Sequence, residues 1–594
     1  MERMISEEVL KDIDPFFLVL FGIGFLLLLF IPFLKKRSKR GTGRFATILE
    51  IMRPFGNWTK WPLNALGSIL VYLLLLLMSA AALFIHQGVA PFKQGLKLAA
   101  VAIALWVVAA VFYRFLSTAF FIRVNSWPFG ERGLLGMRVE LTLSEKDRYE
   151  HILVEGRAGA GKTSGFMIPG LLKDAEGKCS VVALDVKAPE IYDTVAGYWN
   201  KHGKKVILID PYHKEGIGFE PLAASIGGVA LARLEQMVYG KPNTRADEQS
   251  KYFDDQERRL FRLYCTLVQT FTDPKQVNLP ILYQLGVRGI KVLEEAVRYC
   301  RNEKVQEEFQ LFSESKHRLP ELLAGMLNKL DFLSDPEISA AFSRSDLDLE
   351  ILFREPTLLI IASPQSNPKA RLAAAVVLRA LMLKVYERPN RKEGEGLPLF
   401  LYLDEFYNIY LPDMPDFVVT ARSARVGVAT FYQTDEQLDQ YERHEKASLQ
   451  ANRKFEVYFQ GLPIKKCKEL SERIGKTLIK VKEVSRSFLR GNQVRITERE
   501  ADLLSPDDIQ NLADHKALCF VAGVRPFLVN RLMAHKTRRY KRKLNSPPAA
   551  YRPTPEPLIA PAFRDLPEPP ATGPGAPPAG WPKPPEETGQ LYQF

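Results

Sequence analysis

Short apolar runs recur along the chain from about residue 150 onward, and several of them end in an acidic residue. Uninterrupted runs of this length are typical of strands that a parallel sheet buries on both faces. The pattern predicts strands at 152–154, 180–185, 205–210, 357–361, 399–403, 428–432, 455–459 and 517–521. A segment with helical periodicity, 192–202, lies between two of them. This alternation predicts an α/β fold with a parallel sheet and helices on both faces.

The region 227–344 has a different pattern. Strand-like runs are missing there, and apolar residues recur at helical spacing among charges, as Leu260 and Tyr264 do. We therefore expect an all-α domain at 227–344 that interrupts one α/β domain, whose two parts are 123–226 and 345–545.

The end of the chain is basic and then rich in proline. A Pro-rich segment of this kind cannot bury a core, so 546–594 is predicted to be a disordered tail. It is either a docking segment for partners or a solvated tether. The basic run at 536–543 fits contact with nucleic acid or lipid headgroups, although a solvated charged helix is the commoner outcome.

Three stretches near the start of the chain are long and apolar enough to span a bilayer. They lie at about 16–34, 66–85 and 98–118. A membrane anchor with three transmembrane helices is therefore predicted at 1–122.

The orientation of this anchor follows from its charges. The basic run 35–40 follows the first span, and the positive-inside rule places it in the cytoplasm. Met1 is then outside, and the chain after residue 123 is cytoplasmic. Acidic residues before the first span argue against a cleaved signal peptide.

Composition adds two limits. The 81 Lys and Arg residues against 68 Asp and Glu give a formal charge of +13, which suits nucleic acid or an anionic membrane surface without deciding between them. The five cysteines are scattered and form no C-x-x-C pair, so neither a zinc site nor a disulfide framework is predicted. They are typical of buried thiols in a reducing compartment.

The first predicted strand leads into a glycine-rich loop with the spacing G-x-x-x-x-G-K-[ST], the phosphate-binding P-loop. The predicted nucleotide-binding residues are Gly156, Arg157, Ala158, Gly159, Ala160, Gly161, Lys162, Thr163 and Ser164. Glycines let backbone N–H groups converge on phosphate oxygens at a helix N-terminus. Lys162 is predicted to bind the β- and γ-phosphates of ATP, and Thr163 to hold Mg²⁺. A Gly/Ala-rich turn that happens to contain Lys is the alternative.

A second motif completes the predicted site. The apolar run 399–403 is followed by Asp404 and Glu405. The carboxyl ends of neighbouring parallel strands share one edge of the sheet, which is where ligands bind. Asp404 is predicted to hold Mg²⁺ through water, and Glu405 to polarise the attacking water. A strand that ends in an acidic turn is the alternative, commoner for Asp404 alone than for the pair.

Further motifs follow along the chain. They are the I-P-x-L-L run at 168–172, Leu184-Asp185-Val186-Lys187, Ile209-Asp210-Pro211, Phe219-Glu220-Pro221-Leu222, Leu403-Asp404-Glu405-Phe406, Gln433 with Gln437-Leu438 and Tyr441, Ala451-Asn452, Leu503-Leu504-Ser505-Pro506 and Arg525-Pro526-Phe527. With the P-loop they occur in the order found in type IV secretion coupling proteins of the TraG/TraD kind, and the chain resembles that family from about residue 150 to 527. The chain departs from the family at Glu220, where Asn is usual, and in having three predicted spans where two are usual.

The resemblance implies a ring-shaped, homo-hexameric ATPase at the bacterial inner membrane, with an N-terminal anchor and a RecA/FtsK-like nucleotide-binding domain. It would pass a relaxase–DNA complex or an effector protein to the type IV secretion channel, and contact DNA through sequence-independent electrostatics. Gln433 would sense the γ-phosphate. A neighbouring subunit would supply an arginine to the transition state, and spacing from Gln433 favours Arg422 over Arg425. A solvated arginine is the alternative for either residue.

Three other classes of protein share some of these features. A membrane-anchored DNA pump of the FtsK/HerA sort has a related motor but lacks the I-P-x-L-L run and usually the helical insertion. A scaffold that recruits effector proteins with little ATPase activity would not need the complete set of Lys162, Thr163, Asp404 and Glu405. An ABC-type transporter would need an L-S-G-G-Q-like signature between the two motifs, and the sequence has none.

Overall fold

A computed structural model of the chain describes residues 126–134, 137–213, 216–225, 227–242, 247–271, 277–300, 302–313, 317–388, 395–487 and 491–544. All of them belong to one compact unit, Arg123–Phe594. The three predicted transmembrane helices and the predicted tail at 546–594 lie outside the described residues. Within the described ranges, no helix combines the length and the apolar character that crossing a membrane requires.

Thirteen strands are described. They are β1 Trp127–Leu134, β2 Met137–Leu143, β3 Ile152–Glu155, β4 Ser180–Asp185, β5 Lys205–Ile209, β6 Thr357–Ala362, β7 Leu399–Leu403, β8 Val426–Tyr432, β9 Phe455–Tyr458, β10 Lys476–Ser487, β11 Gly491–Asp502, β12 Lys516–Val521 and β13 Val524–Asn530. Eleven strands form one sheet in the order β2-β1-β13-β12-β9-β3-β8-β7-β4-β6-β5, and β10 pairs with β11 in a separate hairpin.

The strands from β9 to β5 in that order are parallel to one another. β4, β6, β7 and β8 are buried at every position, as their uninterrupted apolar runs predict. All eight strands predicted from the sequence are present with nearly the predicted bounds. The parallel α/β core is therefore confirmed.

The sheet is not parallel throughout. β12 is present as predicted, but it runs antiparallel to β9, and β13, β1 and β2 continue the antiparallel pairing outward. The sequence pattern did not predict β1, β2, β13 or the β10–β11 hairpin. Unlike the central strands, these strands mix polar and apolar residues, and most positions of β13 are at least partly exposed.

Seventeen α-helices are described. They are α1 Glu145–Arg148, α2 Ile168–Asp174, α3 Glu190–Lys201, α4 Gly228–Tyr239, α5 Glu248–Phe271, α6 Leu279–Val287, α7 Ile290–Tyr299, α8 Glu303–Ser313, α9 Leu319–Lys329, α10 Pro336–Ala341, α11 Ile351–Arg354, α12 Pro368–Tyr386, α13 Met414–Ala421, α14 Arg443–Ala451, α15 Ile464–Ile474, α16 Pro506–Gln510 and α17 Arg538–Leu544. Side chains set several of the starts: Asn278 and Asn367 cap α6 and α12, each followed by a proline in the first turn.

Every described element between 227 and 344 is helical, from α4 to α10 with the 3₁₀ turn Asp331–Ser334. These helices share one apolar core with a face of the sheet, because Leu184 of β4 belongs to the same buried cluster as Leu260 and Tyr264 of α5. The helical region is thus packed onto the sheet. Its boundaries as a separate domain, 227 and 344, stay a prediction.

The opposite face of the sheet is covered by α2, α3 and α17, with Trp127, Phe166 and Trp199 in a second apolar cluster. α17 contains most of the basic run 536–543, for which a solvated charged helix was the commoner expectation. That expectation is wrong for part of the run: Tyr540 is fully buried and its hydroxyl donates to Glu140 at 3.0 Å, and Lys543 pairs with Glu176.

One buried ionic network joins the two motif-bearing parts of the sheet. Arg148 at the end of α1 forms two hydrogen bonds with the carboxylate of Asp174 at the end of α2, at 2.6 and 2.8 Å. The hydroxyl of Tyr402 on β7 donates to the same carboxylate at 2.6 Å. The Arg148 and Asp174 side chains are 2% and 0% exposed. Removing one partner leaves an uncompensated buried charge.

We predict that Asp174→Ala lowers the free energy of unfolding by about 3–5 kcal/mol, the usual effect of breaking a buried ion pair from one side. Tyr402→Phe removes only a hydroxyl and should cost about 1–3 kcal/mol. Denaturant unfolding of the purified protein measures both changes, with Asp193→Ala on the exposed side of α3 as the control. A cost for Asp174→Ala no larger than that of the control would contradict the prediction.

Candidate nucleotide-binding site

Three adjacent parallel strands position the candidate site. β3 lies beside β8 and β8 beside β7, and both Leu153 and Leu403 are in register with Thr430. The carboxyl ends of β3 and β7 therefore lie at one edge of the sheet, about 10 Å apart with one strand between them. The glycine-rich loop follows β3 and Asp404 follows β7, so the sheet brings the two sequence motifs together.

The backbone conformation of the loop is the one that its glycines predict. Gly159 and Gly161 have φ of +73° and +79°, in the left-handed region that favours glycine. Gly156 is needed for space instead, because a Cβ there would lie 2.7 Å from Cβ of Phe459. After Lys162 the chain forms the π-type turn Thr163–Met167 and continues into α2. The predicted sequence of strand, loop and helix is present.

Lys162 lies against its own loop. Its Nζ donates to the backbone oxygen of Gly156 at 2.8 Å and more weakly to that of Arg157 at 3.4 Å, and the residue is 6% exposed. Burial lowers the pKa of Lys162, and the carboxylates of Asp404 and Glu405 oppose that effect. The ammonium is therefore held by carbonyl dipoles close to two acidic side chains.

Thr163 and Asp404 meet directly. The Thr163 hydroxyl donates to Oδ2 of Asp404 at 2.8 Å, across 241 positions of sequence. Burial raises the pKa of Asp404 to about 6, although the hydrogen bond from Thr163 favours the ionised form. These are hard oxygen donors of the kind that Mg²⁺ prefers. In the described part of the chain, no group of three or more His, Cys, Asp or Glu side chains is placed to hold a metal.

The backbone of Glu405 is strained, and its carboxylate accepts several hydrogen bonds. Its φ is +41°, which is uncommon for a residue other than glycine and is found most often at functional sites. Oε2 accepts hydrogen bonds from Gln365, from the Tyr407 hydroxyl at 2.8 Å and from Asn408 at 3.4 Å. Oε1 accepts from Nε2 of Gln433 at 3.3 Å. The structure thus places the predicted pair Glu405 and Gln433 in contact.

Arg422 and Arg425 lie at the other edge of the sheet, at the amino end of β8. Arg425 is engaged within the subunit: its guanidinium pairs with Glu145 at 2.9 Å and contacts the Tyr149 hydroxyl at 3.3 Å. Arg422 pairs with Glu150 at 3.3 Å, but its side chain is 66% exposed. β8 has seven residues, about 23 Å of extended chain, so Arg422 lies far from the P-loop of its own subunit.

Sequence reasoning missed the side chains that hold Glu405, namely Gln365, Tyr407 and Asn408. Tyr407 and Asn408 follow the acidic pair directly, which is the one local signal for them. Gln365 comes from the turn after β6, two strands away from β7, and no local pattern connects it with Glu405.

Sequence reasoning also missed Arg531, whose guanidinium donates to the backbone oxygens of Ala160 and Gly161. This arginine follows β13, a strand that the sequence pattern did not predict. It therefore reaches the P-loop only through the antiparallel edge of the sheet.

Glu155, the last residue of β3, is a further unpredicted feature. It is fully buried, and among the described residues neither carboxylate oxygen has a hydrogen-bond partner. Burial raises the pKa of Glu155 to about 8, assisted by the nearby Asp435 carboxylate and opposed by Lys466 and Arg453. A neutral carboxyl therefore lies immediately before the P-loop at neutral pH.

Comparisons with known proteins agree with this geometry. The family model described as Type IV secretory system Conjugative DNA transfer matches residues 118–554. Protein VirD4 of Rhizobium radiobacter is 21% identical over 403 residues, which are 66% of this chain and 58% of that protein. Protein VirD4 of Agrobacterium fabrum strain C58 is 22% identical over 403 residues, 66% of this chain and 60% of that protein. The chain thus spans less than two thirds of these relatives' length.

A solved structure of similar fold is plasmid coupling protein TrwB in complex with ADP and Mg²⁺. It superposes with a TM-score of 0.50 and 16% identity, covering 68% of this chain and 89% of that one. At this identity the likeness concerns the fold, an α/β nucleotide-binding architecture.

We predict that Asp404→Asn stabilises the protein at neutral pH when nucleotide and Mg²⁺ are absent. The carboxyl loses its proton near pH 3.8 in the unfolded chain and near 6 in the folded protein. Between these values the unfolded chain binds fewer protons, so stability falls as pH rises. Asn mimics the neutral form, and the variant should be more stable by about 1–3 kcal/mol at pH 7.5 but not at pH 4.

Denaturant unfolding at the two pH values measures this effect. Asp193→Asn, on the exposed side of α3, is the control and should change neither value. An Asp404→Asn variant that is less stable than the unmodified protein at pH 7.5 would refute the prediction.

Proposed function

Since the chain belongs to the Type IV secretory system Conjugative DNA transfer family, we propose that it is an ATPase that couples a DNA substrate to a type IV secretion system. The observation that carries the proposal is the convergence of the P-loop, the Thr163–Asp404 contact and the Glu405–Gln433 contact at one edge of the sheet. Each of these elements has a separate part in phosphoryl transfer to water.

The P-loop would bind the phosphates of ATP. Its glycines leave room for backbone N–H groups to approach phosphate oxygens at the start of a helix. The Lys162 ammonium, which donates to carbonyl oxygens of its own loop, would turn to the β- and γ-phosphates, a stronger charge-assisted partner. Thr163 and Asp404 would hold Mg²⁺, which neutralises the charge that develops on the phosphates.

Glu405 is suited to activate the attacking water. Gln365, Tyr407, Asn408 and Gln433 bond to its carboxylate and fix its orientation before a substrate arrives. Oriented polar groups of this kind cost little reorganisation during the reaction. Gln433 would bridge this carboxylate and the γ-phosphate, so loss of the phosphate would change its contacts.

Arg422 would act on the site of a neighbouring subunit. It lies far from its own P-loop and is largely exposed, whereas Arg425 is occupied within the subunit. An arginine that stabilises transition-state charge from a neighbour requires a ring in which each subunit faces the next. We propose a homo-hexamer on this basis and on the family relationship.

We propose the substrate, the partners and the location by analogy with the family. We propose that the protein contacts DNA without sequence preference, in agreement with its formal charge of +13. A relaxase–DNA complex or an effector protein would be the cargo, and components of the type IV secretion channel would receive it. The apolar stretches before residue 122 would anchor the protein in the bacterial inner membrane, with the N-terminus outside and the ATPase part in the cytoplasm.

Two alternatives differ in what the same site would do. A membrane-anchored DNA pump of the FtsK/HerA sort would hydrolyse ATP and move DNA without a secretion channel. A recruiting scaffold would bind ATP with little hydrolysis. The complete set of Lys162, Thr163, Asp404 and Glu405, with Glu405 oriented by four side chains, argues against the scaffold, because hydrolysis needs an oriented base and recruitment does not.

We predict that the full-length protein, purified in detergent, hydrolyses ATP faster when single- or double-stranded DNA is added. Lys162→Ala should abolish hydrolysis because it removes the ammonium that binds the β- and γ-phosphates of ATP. Glu405→Gln should lower kcat by roughly 10²- to 10⁴-fold, the usual contribution of a general base, and leave ATP binding intact. Glu436→Gln, an exposed carboxylate near Gln433, is the matched control and should retain activity.

The outcomes separate the candidate functions. Hydrolysis that DNA leaves unchanged would favour export of protein. A folded, ring-forming protein without hydrolysis would refute the ATPase proposal and favour the recruiting scaffold.

Mixed rings should reveal the action of Arg422. Arg422→Ala and Lys162→Ala are each expected to be inactive alone, since the first lacks the arginine and the second the lysine. Mixed at equal amounts, they should regain hydrolysis at about a quarter of the sites, where an intact Lys162 faces an intact Arg422. Exchange of subunits followed by an ATPase assay measures the recovery.

Arg354→Ala is the control for this experiment, because Arg354 is another exposed arginine at the amino-terminal edge of the sheet. It should keep its activity alone and in mixtures. If the mixture of Arg422→Ala and Lys162→Ala recovers nothing although the subunits exchange, Arg422 does not act between subunits.

A further inference from the structure

The chain after the last strand of the sheet crosses the phosphate-binding loop. Residues 531–534, which we call the strap, follow β13 directly. The backbone N–H of Ala534 donates to the oxygen of Ser164 at 3.0 Å. A Cβ on Gly165 would lie 3.3 Å from the sulfur of Met533, so the strap packs closely on the turn that follows the loop.

Arg531 is the strap residue that contacts the loop itself. Its Nη2 donates to the backbone oxygen of Ala160 and, at 3.2 Å, to that of Gly161. Its Nη1 donates to the backbone oxygen of Asp514 at 2.8 Å, and the guanidinium lies 4.1 Å from the centre of the Phe459 ring. A Cβ on Gly161 would lie 2.6 Å from Nη2, so this glycine leaves the space that the guanidinium occupies.

The guanidinium is buried without a carboxylate bound to it. Arg531 is 8% exposed, and in the described part of the chain its hydrogen bonds go to backbone oxygens and it forms no ion pair. The nearest acidic influence is Asp514, whose carboxylate receives a hydrogen bond from Gln460. Buried charges in proteins are normally paired. This cation therefore lies beside the loop with its charge only partly compensated.

The bonds to Ala160 and Gly161 also set the direction of the neighbouring N–H groups. In a planar trans peptide the C=O and the following N–H point to opposite sides. Holding these two oxygens on the strap side turns the N–H groups of Gly161 and Lys162 to the other side of the loop. Backbone N–H groups at these positions of a P-loop are the ones that cradle phosphate oxygens.

We propose that Arg531 is a positioning residue for the nucleotide phosphates: it orients the P-loop from behind, and the phosphates supply the anionic charge that its guanidinium lacks in the free protein. The inference rests on the proposed binding of ATP. It assigns a purpose to the antiparallel edge of the sheet, because β13 is the strand that carries Arg531 to the loop.

Two substitutions of Arg531 separate its charge from its hydrogen bonds. Arg531→Gln keeps a donor for one carbonyl and removes the charge, whereas Arg531→Lys keeps the charge and loses the two-pronged contact. Arg525→Gln removes the same charge from an exposed position of β13, the strand that leads to Arg531, and is the matched control. Competition of ATP, ADP and AMP against a fluorescent ATP analogue on the full-length protein gives the dissociation constants.

Arg531→Gln should weaken ATP binding by roughly tenfold or more, and the loss should grow from AMP to ADP to ATP as the number of phosphate charges grows. Arg531→Lys keeps the charge but loses the two-pronged hold on the loop, so its loss should be smaller and should also grow from AMP to ATP. Arg525→Gln should bind all three as the unmodified protein does. Thermal unfolding without nucleotide shows whether each variant is folded.

Two results would overturn the inference. One is a folded Arg531→Gln variant that binds ATP as well as the unmodified protein. The other is an equal loss for all three nucleotides, which indicates packing alone. If Arg531→Gln does not fold, Arg531→Lys decides, because no loss of ATP binding in this variant, or an equal loss for all three nucleotides, also contradicts the proposal. An unmodified protein that binds no nucleotide would refute the proposed function itself, and the inference with it.

Discussion

The parallel pairing of β3, β8 and β7 is the constraint on which the site depends. With β8 between them, the loop after β3 and the acidic pair after β7 face each other at a distance that side chains can close. The Thr163–Asp404 hydrogen bond of 2.8 Å closes it. On the face of the sheet that α2 covers, the buried network of Arg148, Asp174 and Tyr402 ties this helix, which follows the P-loop, to β7. The two motifs therefore keep their spacing because two independent contacts connect the same pair of elements.

The candidate site carries charges that folding alone leaves poorly compensated. Lys162 and Arg531 are buried and bound by backbone oxygens rather than by carboxylates. Burial raises the pKa of Asp404 and of Glu155, so both carboxyls favour the neutral form more than an exposed carboxyl does. Unfavourable burial of this kind is common where a protein binds a charged ligand, since stability is traded for function. The anionic phosphates of a magnesium nucleotide would compensate the buried cations, and its metal ion would compensate the buried carboxyls.

Distant parts of the chain cover the two faces of the sheet. The helices α4 to α10 share an apolar core with one face, whereas α2, α3 and α17 cover the other. The segment that follows β13 closes the P-loop side, first through the strap and then through α17, whose Tyr540 is fully buried. Arg531 thus contacts the P-loop at Gly161, which lies 370 positions earlier in the chain. The P-loop and the end of the described chain are thereby linked in one packed unit.

The sequence by itself determined the parallel core and the P-loop and acidic motifs of the candidate site. A strand buried on both faces must be apolar throughout, so β4, β6 and β7 are visible as uninterrupted runs. The P-loop depends on glycines at fixed spacing within a few residues, so it too is a local signal. The helical character of 227–344 was equally local, because one face of each helix must be apolar to pack.

Only the tertiary structure decided the antiparallel edge, the partners of Glu405 and the position of Arg531. Edge strands mix polar and apolar residues, and their pairing depends on which strands the rest of the sheet leaves open. Gln365 and Arg531 reach the site from strands far away in sequence, so their contacts leave no local pattern. The separation of Arg422 from its own P-loop likewise follows from the direction of β8, which pairing with β3 and β7 sets.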